Sequence, residues 1–401
     1  MQFLDIVNYF LAAILLSVSV AWIFLIKSMW ITFRDSPFLD RYNSKPHHMP
    51  KVSVILPARN EEMFIEKCIN SLLEQDYQNY EIIAIDDTSD DNTGELIKKI
   101  ARKNPKVIHV QAGPKPEKWI GKNWACIEGF KRSSGELLLF TDADTIHTNK
   151  TISLSVDHLL SEGLDSLTVI PKMLCLDWWT KITLPVLSTF LHTRFSALRV
   201  NDPSKKTGYF FGSFFIIKRK TYEAVGTHES VKSEIVEDGA LGKKVKEQGF
   251  GLKMVRGEHL VEAVWARDLT TLWHALKRLM IPLYIQSSKM AVGIFFAVLF
   301  LLFMPFPILA YSAFFAGLST SFGVLSGAAL FASGLFYLGS TMDAKKGLGL
   351  GFRHALFAPL GSVVIISGFA SGILQAKKSN AVTWRGRTYS ISNTKQNPIS
   401  L

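Results

Sequence analysis

Leu137-Leu-Leu-Phe-Thr-Asp-Ala-Asp-Thr145 is the stretch that decides how this chain of 401 residues is read. Its four apolar residues, Leu137 to Phe140, have the length and continuity of a buried strand. The strand stops at Asp142-Ala143-Asp144. A core strand ending in two carboxylates delivers them to the carboxyl edge of a sheet, where open α/β sheets bind ligands. Alternate side chains on an extended segment point the same way, so Asp142 and Asp144 can face one divalent cation and a diphosphate. An isolated Asp-x-Asp is more often a pair of solvated turn residues. The strand before this one, and the carboxylates elsewhere, shift the balance.

Working outward, the same pattern recurs. Lys51 to Pro57 reads as a strand, and Ala58-Arg-Asn-Glu-Glu62 opens a helix carried by Ile65, Ile69 and Leu72-Leu73 at helical spacing. Tyr80 to Ile85 is a second strand, ending in Asp86-Asp87-Thr-Ser-Asp-Asp-Asn92. Capping of the helix Thr93 to Lys103 accounts for one or two of those aspartates. Lys106 to Gln111 is a third strand, and Trp119-Ile-Gly-Lys-Asn-Trp-Ala125 leads into a helix through Arg132. Beyond the acidic pair come a helix Thr151 to Glu162, a strand Ser166 to Pro171 and a helix starting over Lys218 to Val225. Strand and helix alternate, which predicts a doubly wound, mostly parallel sheet. Glu61, Asp86 or Asp87, and Asp142 with Asp144 then converge on one crevice. No Gly-x-Gly-x-x-Gly follows the first strand and no Gly-Lys-Ser/Thr loop exists, so the usual phosphate cradles are missing. A nucleotide here would be held by acidic side chains at its base and ribose, with a metal bridging to its phosphates.

The ends of the chain differ from its middle. Hydrophobic residues make up 48% of the sequence and concentrate at the termini. Ile6 to Ile26 is long and apolar enough to cross a bilayer. Ala291 to Leu318, Phe322 to Gly339 and Ala355 to Leu374 are three further candidates, transmembrane or re-entrant. The formal charge of +11 is spread along the chain rather than gathered in a nucleic-acid-binding arm. Much of it flanks apolar segments, at Lys27, Arg34, Arg41 and Lys45, and at Lys277, Arg278 and Lys289. Basic residues beside spans stay cytoplasmic and none precedes the first span, so the polar domain is expected in the cytosol of a multi-pass cell-membrane protein. One conflict remains: Lys345, Lys346 and Arg353, and also Lys377, Lys378, Arg385 and Arg387, should all be cytosolic. Both groups cannot be if Ala355 to Leu374 crosses once; Pro359, Gly361, Gly368 and Gly372 leave a re-entrant or interfacial placement open. Cys68, Cys126 and Cys175 lack metal-ligand spacing.

Taken together, Pro57-Ala-Arg-Asn-Glu-Glu62, Ile85-Asp-Asp-Thr-Ser-Asp-Asp91, Gly121-Lys-Asn-Trp-Ala125, Thr141-Asp-Ala-Asp-Thr145 and Ile235-Val-Glu-Asp-Gly-Ala-Leu241 resemble membrane-bound family 2 glycosyltransferases. The resemblance is to the branch holding hopanoid-associated, carotenoid-acid and ceramide glycosyltransferases. It runs from Lys51 to about Arg278, and the tail Trp384-Arg-Gly-Arg-Thr-Tyr389 resembles that branch too. It implies an α/β, Rossmann-like GT-A domain with a mostly parallel sheet. It also implies roles. Glu61 and Asp87, with Asp86 beside it, would contact the uracil and ribose of a nucleoside-diphosphate sugar. Asp142 and Asp144 would hold Mg²⁺ or Mn²⁺ against the diphosphate, with Lys122 close to the nucleotide. Gly208 to Ile217, with Gly212-Ser213, would seat the acceptor. Asp238 would be the base that takes the acceptor's proton, with Glu237 as its support. Trp119 and Trp124 either wall this site or pack.

The implied organisation is a transmembrane helix over 1–34, a GT-A domain over 35–267, an interfacial segment over 268–290, transmembrane helices over 291–376 and a cytosolic tail over 377–401. Within the domain, 176–199 carries Trp178, Trp179, Lys181, His192, Arg194 and Arg199 among apolar residues and suits a helix at the bilayer interface. Polysaccharide synthases of this family carry Gln-x-x-Arg-Trp after the base. Here the comparable segment is Ala275-Leu-Lys-Arg278-Leu279, so only Arg278 survives, either as a substrate contact or as part of a charged helix face. The expected activity is inverting transfer of a sugar to a lipid or polyisoprenoid acceptor at the membrane. The alternatives are a polysaccharide synthase and a non-catalytic sugar-nucleotide-binding membrane protein or transporter. Against a transporter, the spans are few and hold almost no ionisable residue at mid-membrane.

Overall fold

The computed structural model describes residues 3–42, 49–378, 381–384 and 387–390. Lys45 and Arg385 lie outside the described residues, as do the side chains of His192 and Arg194. The chain begins with α1 (Phe3–Asp35), then alternates β1 (Val52–Ala58), α2 (Ile65–Leu73), β2 (Tyr80–Asp86), α3 (Thr93–Lys103), β3 (Val107–Gln111), α4 (Gly121–Arg132) and β4 (Leu137–Phe140). β5 (Thr145–His147), α5 (Thr151–Ser161), β6 (Ser166–Ile170) and β7 (Lys172–Cys175) follow. After α6 (Trp178–Arg194) and α7 (Ala197–Asn201), β8 (Phe215–Lys218) and α8 (Arg219–Ala224) lead to α9 (Glu237–Glu247), β9 (Leu252–Arg256) and β10 (Val261–Ala266).

Seven strands form one sheet in the order β3-β2-β1-β4-β8-β6-β9. Its pairings are parallel except where β8 runs against β4 and β6. β5, β10 and β7 make a second, three-stranded sheet. The apolar runs read as strands are apolar throughout because both faces of the large sheet are covered. Val54, Leu56, Ile82 and Leu139 pack on one side; Ile55, Ile83, Ile85, Leu138 and Phe140 pack on the other. Each such buried side chain contributes about 1.5–3 kcal/mol over an exposed one. β1, β2 and β4 lie side by side in register, Ala58 opposite Asp86 and Ile55 opposite Phe140. The acidic turns after them therefore open at one edge.

The remaining helices are α10 (Leu269–Gln286), α11 (Ser288–Leu302), α12 (Pro305–Phe314), α13 (Thr320–Lys346), α14 (Phe352–Leu356) and α15 (Ala358–Lys378); a hairpin of β11 (Ala381–Trp384) and β12 (Arg387–Ser390) ends the described chain. Three helices, α1, α13 and α15, are long and apolar enough to cross a membrane. The segment expected as one span over Ala291 to Leu318 is broken: α11 and α12 meet at a bend of 52°. Pro305 at the start of α12 lacks the N–H that a continuous helix would use, which accounts for the break.

The glycines of α15, by contrast, do not interrupt it. They let it press against α6 and α10: a Cβ on Gly361 would lie 2.2 Å from the carbonyl oxygen of Ile182. α13 runs parallel to α1, with Asn8 bonded to Ser321 near their starts and Trp22 against Phe336 further along. The end of α13, with Lys345 and Lys346, therefore lies on the domain side, where α1 ends. α15 starts against Ile182 of α6, and the hairpin after it reaches Asp87. Both basic clusters thus sit on the domain side, because α15 lies along α6 and α10 and returns its chain to the domain.

The interfacial helix expected over 176–199 is mostly a packed one. Trp178 and Trp179 are exposed at its start, but Ile182, Thr183, Leu184, Val186, Leu187, Ser188 and Thr189 are buried. Ser188 hydrogen-bonds Asp343 of α13, so this helix is the seam between the domain and the helical layer. α10, in the segment expected as interfacial over 268–290, is likewise half core, burying Leu272, Leu276, Met280 and Leu283.

Close packing at the α15–α6 crossing makes a specific prediction. Gly361→Leu should destabilise the protein by about 1–3 kcal/mol, since the backbones must separate to admit the side chain. Gly323→Ala, in α13 with no atom within 4 Å of the new Cβ, should be neutral or stabilising. Thermal unfolding in detergent separates the two; equal melting temperatures would show that the crossing is loose.

Candidate active site

The acidic turns after β1, β2 and β4 and the start of α9 open onto one cavity of about 630 Å³. Glu61, Asp87, Lys122, Asp142, Asp144, Gly212, Glu237, Asp238 and Arg278, each expected at the site, all line it. Asp86 does not. It turns back into its own loop, where Oδ1 accepts the N–H of Ser89 at 3.0 Å. Adjacent residues at a strand end point opposite ways, so only one of the two aspartates can face the cavity. Trp119 and Trp124 pack edge to face, their ring centroids 5.3 Å apart, away from the cavity wall.

Lys122 sits in the first turn of α4 and ties the site together. Its Nζ is 2.7 Å from Asp142 Oδ1 and 2.7 Å from Glu237 Oε1. Burial works against its charge, but Asp142, Glu237 and Asp238 hold its pKa well above the usual lysine value. Asp238 is held by backbone: Gly212 N–H donates to Oδ2 at 2.8 Å and Gly239 N–H to Oδ1 at 2.7 Å. A Cβ at position 212 would stand 2.8 Å from Asp238 Oδ2 and 3.0 Å from Lys122 Nζ, so a larger residue there would displace these site side chains. Burial, followed by the charge of Glu237, raises the Asp238 carboxyl to about 7. Such a carboxyl can exchange a proton near neutral pH. The buried imidazoles of His147 and His228 are pushed down to about 3 and stay neutral.

Several residues at the site were not singled out from sequence. Arg267, just before α10, ion-pairs with Glu61, whose carboxylate is therefore already engaged. Arg59 bonds the carbonyl oxygen of Asp87 at 2.8 Å. Tyr209 is half-buried beside Asp238 and Glu237; desolvation first and those charges second push its hydroxyl pKa well above the usual tyrosine value. Arg387 and Tyr389 reach the site from the C-terminal hairpin. No periodicity marks these positions, since each acts at a distance along the chain that only folding closes.

Donor chemistry decides which ion the site suits. Asp142 and Asp144 offer hard carboxylate oxygens, which fit Mg²⁺ or Mn²⁺. Among the described residues no three His, Cys, Asp or Glu are gathered as a complete ligand set. Other ligands would come from water and a bound diphosphate, as is usual for Mg²⁺.

Removing the central cation should be costly. Lys122→Met leaves Glu237, only 5% exposed, without its partner and should destabilise the ligand-free protein by about 2 kcal/mol or more. Adding Glu237→Gln to that variant should recover most of the loss. Unfolding curves of the single and double variants check this; an unchanged single variant would show the bridge to be dispensable.

Residues 53–226 match the family model described as glycosyl transferase family 2. The chain is 29% identical over 203 residues to 4,4'-diaponeurosporenoate glycosyltransferase of Staphylococcus haemolyticus, a match covering 48% of this chain and 50% of the relative. It is 30% identical over 138 residues to probable glycosyltransferase YdaM of Bacillus subtilis, covering 32% of this chain and 33% of that one. The matches thus span half or less of these relatives. In three dimensions the chain is similar to the mannosyltransferase PcManGT of Pyrobaculum calidifontis, solved with GDP-Man and Mn²⁺. The TM-score is 0.53 at 18% identity, covering 92% of this chain and 99% of that one, a likeness of fold. Residues 53–226 thus resemble glycosyl transferase family 2, and the chain is built on a mixed α/β, GT-A-like fold.

Proposed function

We propose that this protein is a membrane-bound inverting glycosyltransferase that moves one sugar from a nucleoside-diphosphate sugar to a lipid hydroxyl. The observation that carries this reading is the two-sided character of the cavity. One end is walled by Glu61, Asp87, Asp142, Asp144 and Asp238, while Phe24 of α1, Leu187 and Phe190 of α6, Ile294 and Val298 of α11 and Phe369 of α15 wall the other. A sugar nucleotide has no use for an aliphatic and aromatic wall; a hydrocarbon chain does. Two of the helices supplying that wall, α1 and α15, are long and apolar enough to cross a bilayer. A lipid acceptor also agrees with the staphylococcal relative, named for transfer to diaponeurosporenoate.

In this reading Asp87 and Glu61 contact the nucleoside, and Asp142 and Asp144 hold Mg²⁺ or Mn²⁺. Bound there, the ion would neutralise charge on the diphosphate leaving group. Lys122 adds a fixed positive charge on the same side. Asp238 takes the acceptor's hydroxyl proton while that oxygen bonds to the anomeric carbon and the bond to the diphosphate breaks from the opposite face. One displacement inverts the configuration. A positioned base serves only an acceptor that carries a proton, which favours a hydroxyl over a carboxylate. Glu237, already engaged by Lys122, positions the lysine rather than taking the proton. Arg278 lines the cavity from α10.

Three outcomes follow for purified protein in native lipid. Asp238→Asn keeps shape and hydrogen bonding but cannot accept a proton, so kcat should fall by roughly 10²–10⁴-fold with little change in KM. Near-normal kcat, or a product of retained configuration by NMR, would remove Asp238 as the base. Because burial raises its pKa to about 7, kcat/KM of the intact enzyme should climb as pH rises through neutrality and Asp238 loses its proton, then level off. A profile flat from pH 5 to pH 9 would contradict that assignment. Activity should vanish in EDTA and in Asp144→Ala, returning to the EDTA-treated protein with Mn²⁺ or Mg²⁺; full turnover in EDTA excludes the metal.

A further inference from the structure

We infer that the C-terminal hairpin completes the nucleotide end of the cavity, with Arg387 as the positioning residue for Asp87. This rests on the reading above that Asp87 contacts the donor's nucleoside. The hairpin leaves α15 and folds back onto the acidic turn after β2. Arg387 Nη1 bonds Asp87 Oδ2 at 2.5 Å, and Nη2 bonds the Asp87 carbonyl at 3.3 Å and the Thr88 hydroxyl. Arg59 grips the same turn from the opposite end of the sequence, through the carbonyls of Asp87 and Thr88. Between the two guanidiniums Thr88 is held at φ +52°, a left-handed conformation that a β-branched residue adopts only under constraint. Tyr389 lines the cavity, and its hydroxyl accepts the N–H of Gly121 at 3.3 Å, one residue before Lys122. The hairpin therefore braces both the turn that carries Asp87 and the helix start that carries Lys122.

What Arg387 leaves open matters as much as what it holds. Asp87 is only 4% exposed, and its other oxygen, Oδ1, has no hydrogen-bond partner among the described residues. A buried carboxylate oxygen without a donor is costly. Asp87 lines the cavity, so a ligand's N–H or O–H can supply the missing bond. The ionised carboxylate is the form that accepts it. Burial, with Asp86 beside it, raises the Asp87 carboxyl above the usual aspartate range, and the guanidiniums of Arg387 and Arg59 limit that rise. Arg387 thus fixes one oxygen, favours the charged form, and leaves the second oxygen for the nucleoside. No feature of the strand–helix pattern announces this, since the contact joins residues 300 positions apart.

The test is binding of UDP and of GDP, each with Mn²⁺, to the full-length protein by calorimetry. Asp87→Ala, Arg387→Met, Arg387→Lys and the Asp87→Ala/Arg387→Met double variant are compared with the parent. The nucleotide the parent binds more tightly should be held about tenfold or more weakly by Arg387→Met, the scale of one charged hydrogen bond. Arg387→Lys, which keeps the charge, should regain part of that, and the double variant should bind no worse than Asp87→Ala alone. A hairpin that merely stabilised the fold would lower the melting temperature without this coupling or rescue, and that result overturns the inference. Tighter binding by Arg387→Met would also overturn it, showing the hairpin to be a lock over the site. If Asp87→Ala itself binds both nucleotides normally, the donor reading of Asp87 fails, and the inference with it.

Discussion

Lys122 stands between carboxylates that the sheet has no means of keeping apart. Parallel strands in register send their carboxyl ends to one edge, and α9 brings Glu237 and Asp238 to the same place. Two like charges about 4 Å apart repel by about 4 kcal/mol at an effective dielectric constant of 20. One ammonium, 2.7 Å from both Asp142 and Glu237, offsets much of that. At Asp238 burial, helped by the charge of Glu237, outweighs that ammonium, and its proton is held to about pH 7. Burial and charge balance thus meet in one arrangement: the desolvated carboxyl beside the bridged pair is the one able to take a proton.

The cavity joins two environments that arise from different parts of the chain. Its polar end is a by-product of strand topology, and its apolar end of helix packing. Glycine makes the second possible, since Gly361 brings α15 onto the backbone of α6. The seam carries a buried hydroxyl, Ser188, which finds its partner in Asp343 of α13. The hairpin after α15 then returns to the polar end and meets Asp87. One continuous stretch of chain, α15 and its hairpin, accordingly touches both apolar and acidic walls of the cavity.

Much of this was legible in the sequence. Uninterrupted apolar runs predicted β1, β2 and β4, helical spacing predicted α2 and a capping turn predicted α3, because periodicity and capping are local properties of the chain. Acidic turns at strand ends predicted a shared crevice, because parallel topology places those ends together. The bridge at Lys122, the Arg267–Glu61 pair and the embrace of Asp87 by Arg387 were not legible. Nor was the break between α11 and α12, or the return of α15 to the domain. Which way a side chain points at a strand's last residue, which cation meets which carboxylate, and where a long apolar helix lies are set by contacts between distant segments. The sequence by itself determined the elements and the chemistry available at their ends; only the tertiary structure decided the pairing, because the charge each buried group keeps depends on neighbours hundreds of residues away.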